Sequence, residues 1–312
     1  MKSFRFLLAM ALLLSACGTE SRQTVTSDPV DQAEQGPWDG RILLATSEDG
    51  LSFEGDELFL ERAGVPNLLM LQNGDLVLTA QYFSNTDAEL FDAIVYSISK
   101  DEGQTWSEIQ GVTFENLPEP QSPERKPMDP TLVQLEDGSL RLYFTYHAKG
   151  EKNANLFSAH SDSEEMGAVF LVEPEPALEV EEGFLLDPAV VFFDGLWHHF
   201  TWQMESDDNY HSTSSDGLVF ELQDEISLPM DFLGQVIPFE DGLRFYGTGE
   251  GGVVSAFSED GFSWEVDQKS VVQGADPGVQ QLEDGSYIMA YTSMNFNLEP
   301  NESGQTPKND LQ

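Results

Sequence analysis

Two short motifs alternate along this chain, and their alternation leaves few folds open. The first is SKDEGQTW (99–106), of the form S-x-D-x-G-x-T-W. Shorter versions stand at SEDGLSF (47–53), SSDGLVF (214–220) and SEDGFSW (258–264), and SDSEEMGAVF (161–170) is a degraded copy. Their aspartates, Asp49, Asp101, Asp162, Asp216 and Asp260, lie 44 to 61 residues apart. That spacing is long for a solenoid and close to what a four-stranded blade needs. The second motif is a hairpin, present in MLQNGDLVLTAQY, VQLEDGSLRLYFTY, VFFDGLWHHFTW, PFEDGLRFYGTG and QLEDGSYIMAYTS. Its turns are Asn73-Gly74, Asp137-Gly138, Asp194-Gly195, Asp241-Gly242 and Asp284-Gly285. Such dipeptides between alternating apolar runs are the strongest short-range hairpin signal. Aligned on them, Thr145, Thr201, Thr248 and Thr292 fall in register.

Together the motifs define one unit. A strand runs into the Asp-Gly turn, a second returns, a third runs into the Asp-rich turn and a fourth returns. Radial stacking of such antiparallel blades makes an all-β propeller. The first Asp-rich turn has no hairpin before it, and the last hairpin has no Asp-rich turn after it. A circular arrangement resolves both: RILLATSEDGLSFE supplies strands three and four of the blade whose first two strands come last. The expectation is a five-bladed β-propeller over residues 38–296, with its sheet edges protected at the seam.

At this level the chain resembles a known group. The Asp-rich turn looks like the Asp-box of sialidases. Five blades, several opened by Asp-Pro, resemble the arabinanase, xylosidase and invertase-type glycoside hydrolases. The resemblance covers the whole repeat region and bears on architecture more than on activity, which must be argued from a site.

The ends read differently. MKSFRFLLAMALLLSAC carries Lys2 and Arg5 ahead of an apolar run, Phe6 to Leu14, too short to span a bilayer. Leu14-Ser15-Ala16-Cys17 matches the bacterial lipobox, so residues 1–16 read as a signal peptide and Cys17 as the lipidated residue. Cys17 is the one cysteine of 312 residues, which leaves the mature chain no disulfide, thiolate metal site or thiol nucleophile. Gly18 after it resembles outer-membrane sorting, so the expected location is the bacterial cell envelope, with membrane contact through the lipid alone. Residues 17–37 read as a flexible tether and 297–312 as a polar tail. Fourteen Lys and Arg against 56 Asp and Glu give a net charge of −42. That excludes nucleic acid, whose phosphates need a basic footprint. It fits a saline habitat, where an acidic surface aids solubility, and a monomer.

Strand direction separates the motifs from any site. Both turn types fall on one face, so Asp49, Asp101, Asp216 and Asp260 are expected to hold turns, each bonding back to local backbone. The opposite face collects the starts of the first strands: VPNLL, MDPTLV, LDPAVV, LGQVIP and ADPGVQ. Three carry an acid there, Asp129, Asp187 and Asp276. Carboxyls drawn to one axis raise each other's pKa, as acid–base chemistry requires; the alternative is that Asp before Pro caps a strand entry. The second-strand ends add Gln81, Tyr82, Tyr146, His147, Trp202 and Gln203, an aromatic and amide rim suited to a sugar and equally suited to packing between blades. Glu250, among the glycines of GTGEGG, is a fourth candidate acid.

The resemblance implies an Asp opening the first blade, where this chain has Val65-Pro66-Asn67, and a Glu opening a later one, where it has Leu233-Gly234-Gln235. Only its middle, orienting carboxylate carries over, onto Asp129 or Asp187. A sialidase needs an arginine cluster, and Arg141 and Arg244 fall near the other face. Gly247, Gly249 and Gly252 satisfy G-x-G-x-x-G, but a strand follows and Glu250 would repel a pyrophosphate. His198 and His199 are adjacent on a strand, point oppositely and cannot share a metal. No cofactor or metal is expected; Asp129, Asp187 and Asp276 have the hard oxygens calcium prefers, without a dedicated loop. The expected function is an envelope-anchored, glycosidase-like propeller that binds neutral glycans, with or without hydrolysis. The alternative is a non-catalytic scaffold for an envelope protein.

Overall fold

The computed structural model describes residues 37–293 apart from 124, 182, 205–207, 224–227, 229 and 269–270. The expected signal peptide, Cys17, most of the tether and the polar tail lie outside the described residues. After a short turn at Pro37–Asp39 come β1 (Arg41–Ser47) and β2 (Glu54–Glu61). Blade one is β3 (Ala63–Met70), β4 (Leu76–Phe83), β5 (Phe91–Ser99) and β6 (Gln110–Gly111). The short β7 (Phe114–Glu115) adds in parallel to the outer edge of blade two, beside its last strand. Blade two is β8 (Met128–Gln134), β9 (Leu140–Tyr146), β10 (Asn155–Ser161) and β11 (Phe170–Val172). Blade three is β12 (Leu185–Phe193), β13 (Leu196–Gln203), β14 (Asp208–Ser214) and β15 (Glu221–Leu222). Blade four is β16 (Phe232–Phe239), β17 (Gly242–Gly249), β18 (Gly252–Ser258) and β19 (Glu265–Gln268). Finally β20 (Ala275–Gln281) and β21 (Tyr287–Ser293) form a sheet in the order β2-β1-β21-β20, blade five. Arg41 stands opposite Ser293 and Ser47 opposite Tyr287, antiparallel throughout.

The five first strands, β3, β8, β12, β16 and β20, touch in a closed ring, β3 against both β8 and β20. Blades then pack face to face, and this explains the run of apolar residues in the middle strands. All seven residues of β9 and of β21 are buried, because each face meets a neighbouring blade. On the outer edge β2 (EGDELFLE) is mostly exposed. Five apolar clusters fill the five blade-to-blade interfaces, one to each.

A ring of first strands turns five unpaired strand edges toward the central channel, where water is scarce. Side-chain amides reach the edges of β3, β8 and β20. Asn67 Oδ1 accepts from Leu132 N at 3.0 Å, and Gln280 Oε1 from Met70 N at 3.1 Å. Gln235 reaches furthest. Its Oε1 accepts from Leu68 N (3.1 Å) and Val279 N (3.0 Å), and its Nε2 donates to the Leu68 carbonyl (2.7 Å), joining blade four to blades one and five.

The Asp-rich turns are built as their sequence implies. In SKDEGQTW, Asp101 Oδ1 accepts from Ser99 Oγ (2.8 Å) and Thr105 N (2.8 Å), while Ser99 Oγ accepts from Gly103 N (2.7 Å). Asp49, Asp216 and Asp260 accept the matching serine and backbone bonds. These bonds hold their carboxyls below the usual range: Thr105 foremost for Asp101, Ser52 N–H for Asp49, Leu218 N–H for Asp216 and Ser263 N–H for Asp260. Each turn also locks two blades. The turn glycines Gly103, Gly167, Gly217, Gly261 and Gly50 abut Ile288, Tyr96, Tyr143, His198 and Tyr246, each on the preceding blade. Two of those contacts are hydrogen bonds, Tyr143 to the Gly217 carbonyl (2.7 Å) and Tyr246 to the Gly50 carbonyl (2.8 Å).

Two turn details differ from the sequence reading. In blade four the turn residues are Glu240 (φ 50°) and Asp241, since Phe239 pairs directly with Gly242. The tight loops of blades three and four are one residue shorter than the others. Thr145 and Thr292 face Met128 and Ala275, but the matching places opposite Leu186 and Leu233 hold Trp202 and Gly247. Thr201 and Thr248 are displaced by one.

Candidate functional site

Near its channel-face end every first strand slips out of register with its partner, at the same place in all five blades. The slips fall at Val65-Pro66, Asp129-Pro130, Asp187-Pro188, Gly234 and Asp276-Pro277. Proline cannot donate to the ladder, so the strand bulges there. The residue before it is left-handed: Val65 at φ 49°, Asp129 at 55°, Asp187 at 52° and Asp276 at 46°. Aspartate visits this region with its carboxyl bonded locally, whereas for β-branched valine it is an outlier. Strain repeated around one axis marks a place that the fold has shaped for something other than pairing.

The bulges aim their residues at one narrow cavity in the channel mouth, lined by Val65, Asn67, Asp129, Thr131, Asp187, Gly234 and Asp276 among others. Among the described residues no Lys, Arg or His lines it. It has room for about one water molecule. Among the described residues no three of His, Cys, Asp or Glu are placed to hold a metal ion together. The three aspartates ring the cavity; they do not converge on one point.

Hydroxyls and amides brace the trio. Asp129 Oδ2 accepts from Asp187 N at 3.4 Å, and Asp276 N donates to Thr248 Oγ1 at 2.9 Å. Thr292 Oγ1 accepts from Val65 N at 3.1 Å and bonds the Asp276 carboxyl. Thr201 Oγ1 donates to the Leu186 carbonyl at 2.7 Å, and Thr131 Oγ1 to that of Pro188. With no cation in the lining, charge is expensive here. Burial pushes Asp129 up to about 6, opposed by the Asp187 N–H and the Thr145 hydroxyl and reinforced by the negative charge of Asp92. Burial likewise lifts Asp276 to about 6, with the charge of Asp129 adding to it. Asp187 is raised well above the carboxylate range by burial and then by both neighbours. Asp187 and Asp276 are half-buried by exposure.

The other candidates are dispersed. Tyr146 is fully buried in the core between blades one and two, its hydroxyl on the Pro118 carbonyl (2.7 Å), so it offers no ring to the channel. Glu250 is exposed at the tip of the turn from β17 to β18 and does not line the cavity. Gln203 is buried, 4 % exposed, at the end of β13. Tyr82 packs against the core between blades five and one. His147 and Trp202 stay half-buried on the channel face: His147 lies edge-on to Phe184 (5.6 Å), its Nε2 on the Glu151 carbonyl (3.1 Å), and Trp202 lies edge-on to Phe232 (5.0 Å). Sequence reasoning missed Phe232, exposed at the start of β16 beside the cavity-lining Leu233, and Asp92, whose charge reaches Asp129.

No protein-family model matches the sequence, and a search of curated proteins finds no match. Solved structures do match. Zg3597, a family 117 glycoside hydrolase of the marine bacterium Zobellia galactanivorans, superposes with a TM-score of 0.52 at 15 % identity, covering 85 % of this chain and 94 % of its own. The GH43_1 enzyme from Xanthomonas citri complexed with xylose gives 0.57 at 15 %, covering 80 % and 84 %. The RS223 β-xylosidase gives 0.54 at 12 %, covering 78 % and 94 %. At these identities the likeness establishes the architecture, a five-bladed propeller, and leaves the chemistry to the site.

Proposed function

We propose that this protein is an envelope lipoprotein whose channel face binds neutral glycans and hydrolyses them with carboxyls drawn from Asp129, Asp187 and Asp276. The observation that carries this reading is that three aspartates in strained backbone, Asp129 buried and Asp187 and Asp276 half-buried, line one cavity whose described lining holds no cation. Glycoside hydrolysis needs one carboxyl protonated and another ionised at working pH, and burial with mutual repulsion separates such groups. The cavity has room for a water, and a sugar ring would lie across its mouth. The absence of a cation there favours an uncharged substrate.

One observation favours binding without turnover. The two remaining equivalent places hold Val65 and Gly234, and Gly234 has no room for an acid: a Cβ there would stand 2.5 Å from the Pro277 carbonyl oxygen. Hydrolysis of 4-nitrophenyl α-L-arabinofuranoside and β-D-xylopyranoside separates the readings. Turnover should depend on a group titrating near pH 6. Asp129→Asn and Asp187→Asn should each lower kcat/KM by about 10²–10⁴. Glycan-array binding with no turnover supports the binding module. If neither occurs while a protein partner is captured, the carbohydrate reading falls and the scaffold stands.

The anchor has its own test. Growth with an alkyne-tagged fatty acid should label the protein at Cys17, and Cys17→Ser should abolish the label; a labelled Cys17→Ser protein would remove the lipid from the proposal.

A further inference from the structure

Phe232 opens β16 on the channel face, directly before Leu233 and Gly234, which line the cavity. It is 40 % exposed, and among the described residues no other first strand carries an exposed large apolar side chain at that end. Its ring centre lies 5.0 Å from that of Trp202, with the two planes 70° apart. An edge contact of this kind covers at most one face of the Phe232 ring. Trp202 is itself held in place. It packs against the core between blades three and four and stands opposite Leu186, the residue before Asp187. Met204, 46 % exposed, follows two residues after Trp202, just beyond β13. Single exposed apolar residues are ordinary on a protein surface. A braced aromatic pair with an apolar neighbour in sequence, at the rim of a polar cavity, is a surface that favours being covered. Successive Cα atoms are about 3.8 Å apart, so Phe232 starts within about 8 Å of the cavity-lining Gly234. A sugar ring lying on Phe232 therefore also reaches the cavity mouth.

We propose that Phe232 is a sugar-stacking residue, whose open ring face carries the C–H face of one ring of the bound glycan while Trp202 behind it fixes the angle. The inference rests on the reading that the channel face binds a neutral glycan. Stacking on an aromatic face requires no charge on the ligand, and the described cavity lining holds no cation to attract one. The glycan is thereby placed on the side of blades three and four, next to Asp187.

The test compares the whole protein and its Phe232 variants, over a concentration series, on an array of neutral glycans that includes xylotriose and arabinotriose. Phe232→Ala and Phe232→Leu should each bind the parent's best glycan about tenfold more weakly or worse. Phe232→Tyr, which keeps the ring, should stay within about threefold of the parent. Leucine keeps apolar bulk beside Trp202 without an aromatic face, so its loss separates stacking from packing. Parent affinity in folded Phe232→Ala or Phe232→Leu overturns the proposal, and so does a Phe232→Tyr as weak as the alanine variant. If Phe232→Ala does not fold, Phe232→Leu alone is held to the criterion. A parent that binds no glycan on the array removes the carbohydrate reading and this inference with it. A parent that binds, with all variants unchanged, removes this inference alone.

Discussion

Asp129→Asn should make this protein more stable at pH 7.5, and the gain should disappear near pH 3.5. The carboxyl ionises at about 6 in the folded protein and near 3.8 when unfolded. Below 3.8 both states hold the proton and the residue is neutral in its effect. Between 3.8 and 6 the folded state binds more protons than the unfolded one, so stability falls as pH rises. Above 6 the full penalty applies, about 3 kcal/mol for a change of that size. Asparagine is never charged and keeps an oxygen for the Asp187 N–H. The expected result is a gain of about 2–3 kcal/mol at pH 7.5, seen as a rise of about 5–10 °C in Tm for a domain of this size. Thermal melts of both proteins at the two pH values check it. A variant that melts at or below the parent temperature at pH 7.5 would show that Asp129 is not held in a hostile environment. Stability sacrificed at one buried acid is the signature of a site kept for use.

Gln235→Leu should have the opposite and larger effect. Leucine fills a similar volume but offers nothing to Leu68 N, the Leu68 carbonyl or Val279 N, all bonded to Gln235. Each buried backbone group left unpaired costs about 1–3 kcal/mol, so for three groups the loss should be about 3–9 kcal/mol. That is a large part of the total stability of an ordinary domain. Gln235→Glu keeps the acceptor and loses the donor to Leu68, and it should fall between the two. Denaturant unfolding with an unchanged m-value is the measurement. A loss below about 1 kcal/mol would mean that water replaces the amide in the channel.

What could be read from the sequence was what short-range chemistry determines. Ser99, Asp101, Gly103 and Thr105 close their turn within seven residues, and an Asp-Gly hairpin needs no distant partner. The cavity aspartates were also visible, because proline two places into a strand forces a bulge and the residue before it is an acid in three blades. Side-chain direction within the blades was not. Tyr146 follows Thr145 on a strand buried on both faces, so no polar alternation distinguishes the channel side from the core side. Gln235 was read as a missing acid, because its three bonds go to strands far away in sequence, at Leu68 and Val279. Asp92 belongs to no motif. Its hydrogen bond comes from Gln81 on the neighbouring strand, and the carbonyls of Glu89 and Phe91 before it are held by Lys126 from the next blade; nothing near Asp92 in the sequence announces either.

The pairing of β1 with β21 has a kinetic consequence. The two strands are about 250 residues apart in sequence, so blade five has the highest contact order in the molecule and its closure waits for the rest. Until then an incomplete ring presents two raw strand edges, each able to accept a strand from another chain. A net charge of −42 repels such encounters at long range. The acidity that suits a solvated surface thus also guards the half-closed ring against strand exchange, and the guard should weaken as salt screens it.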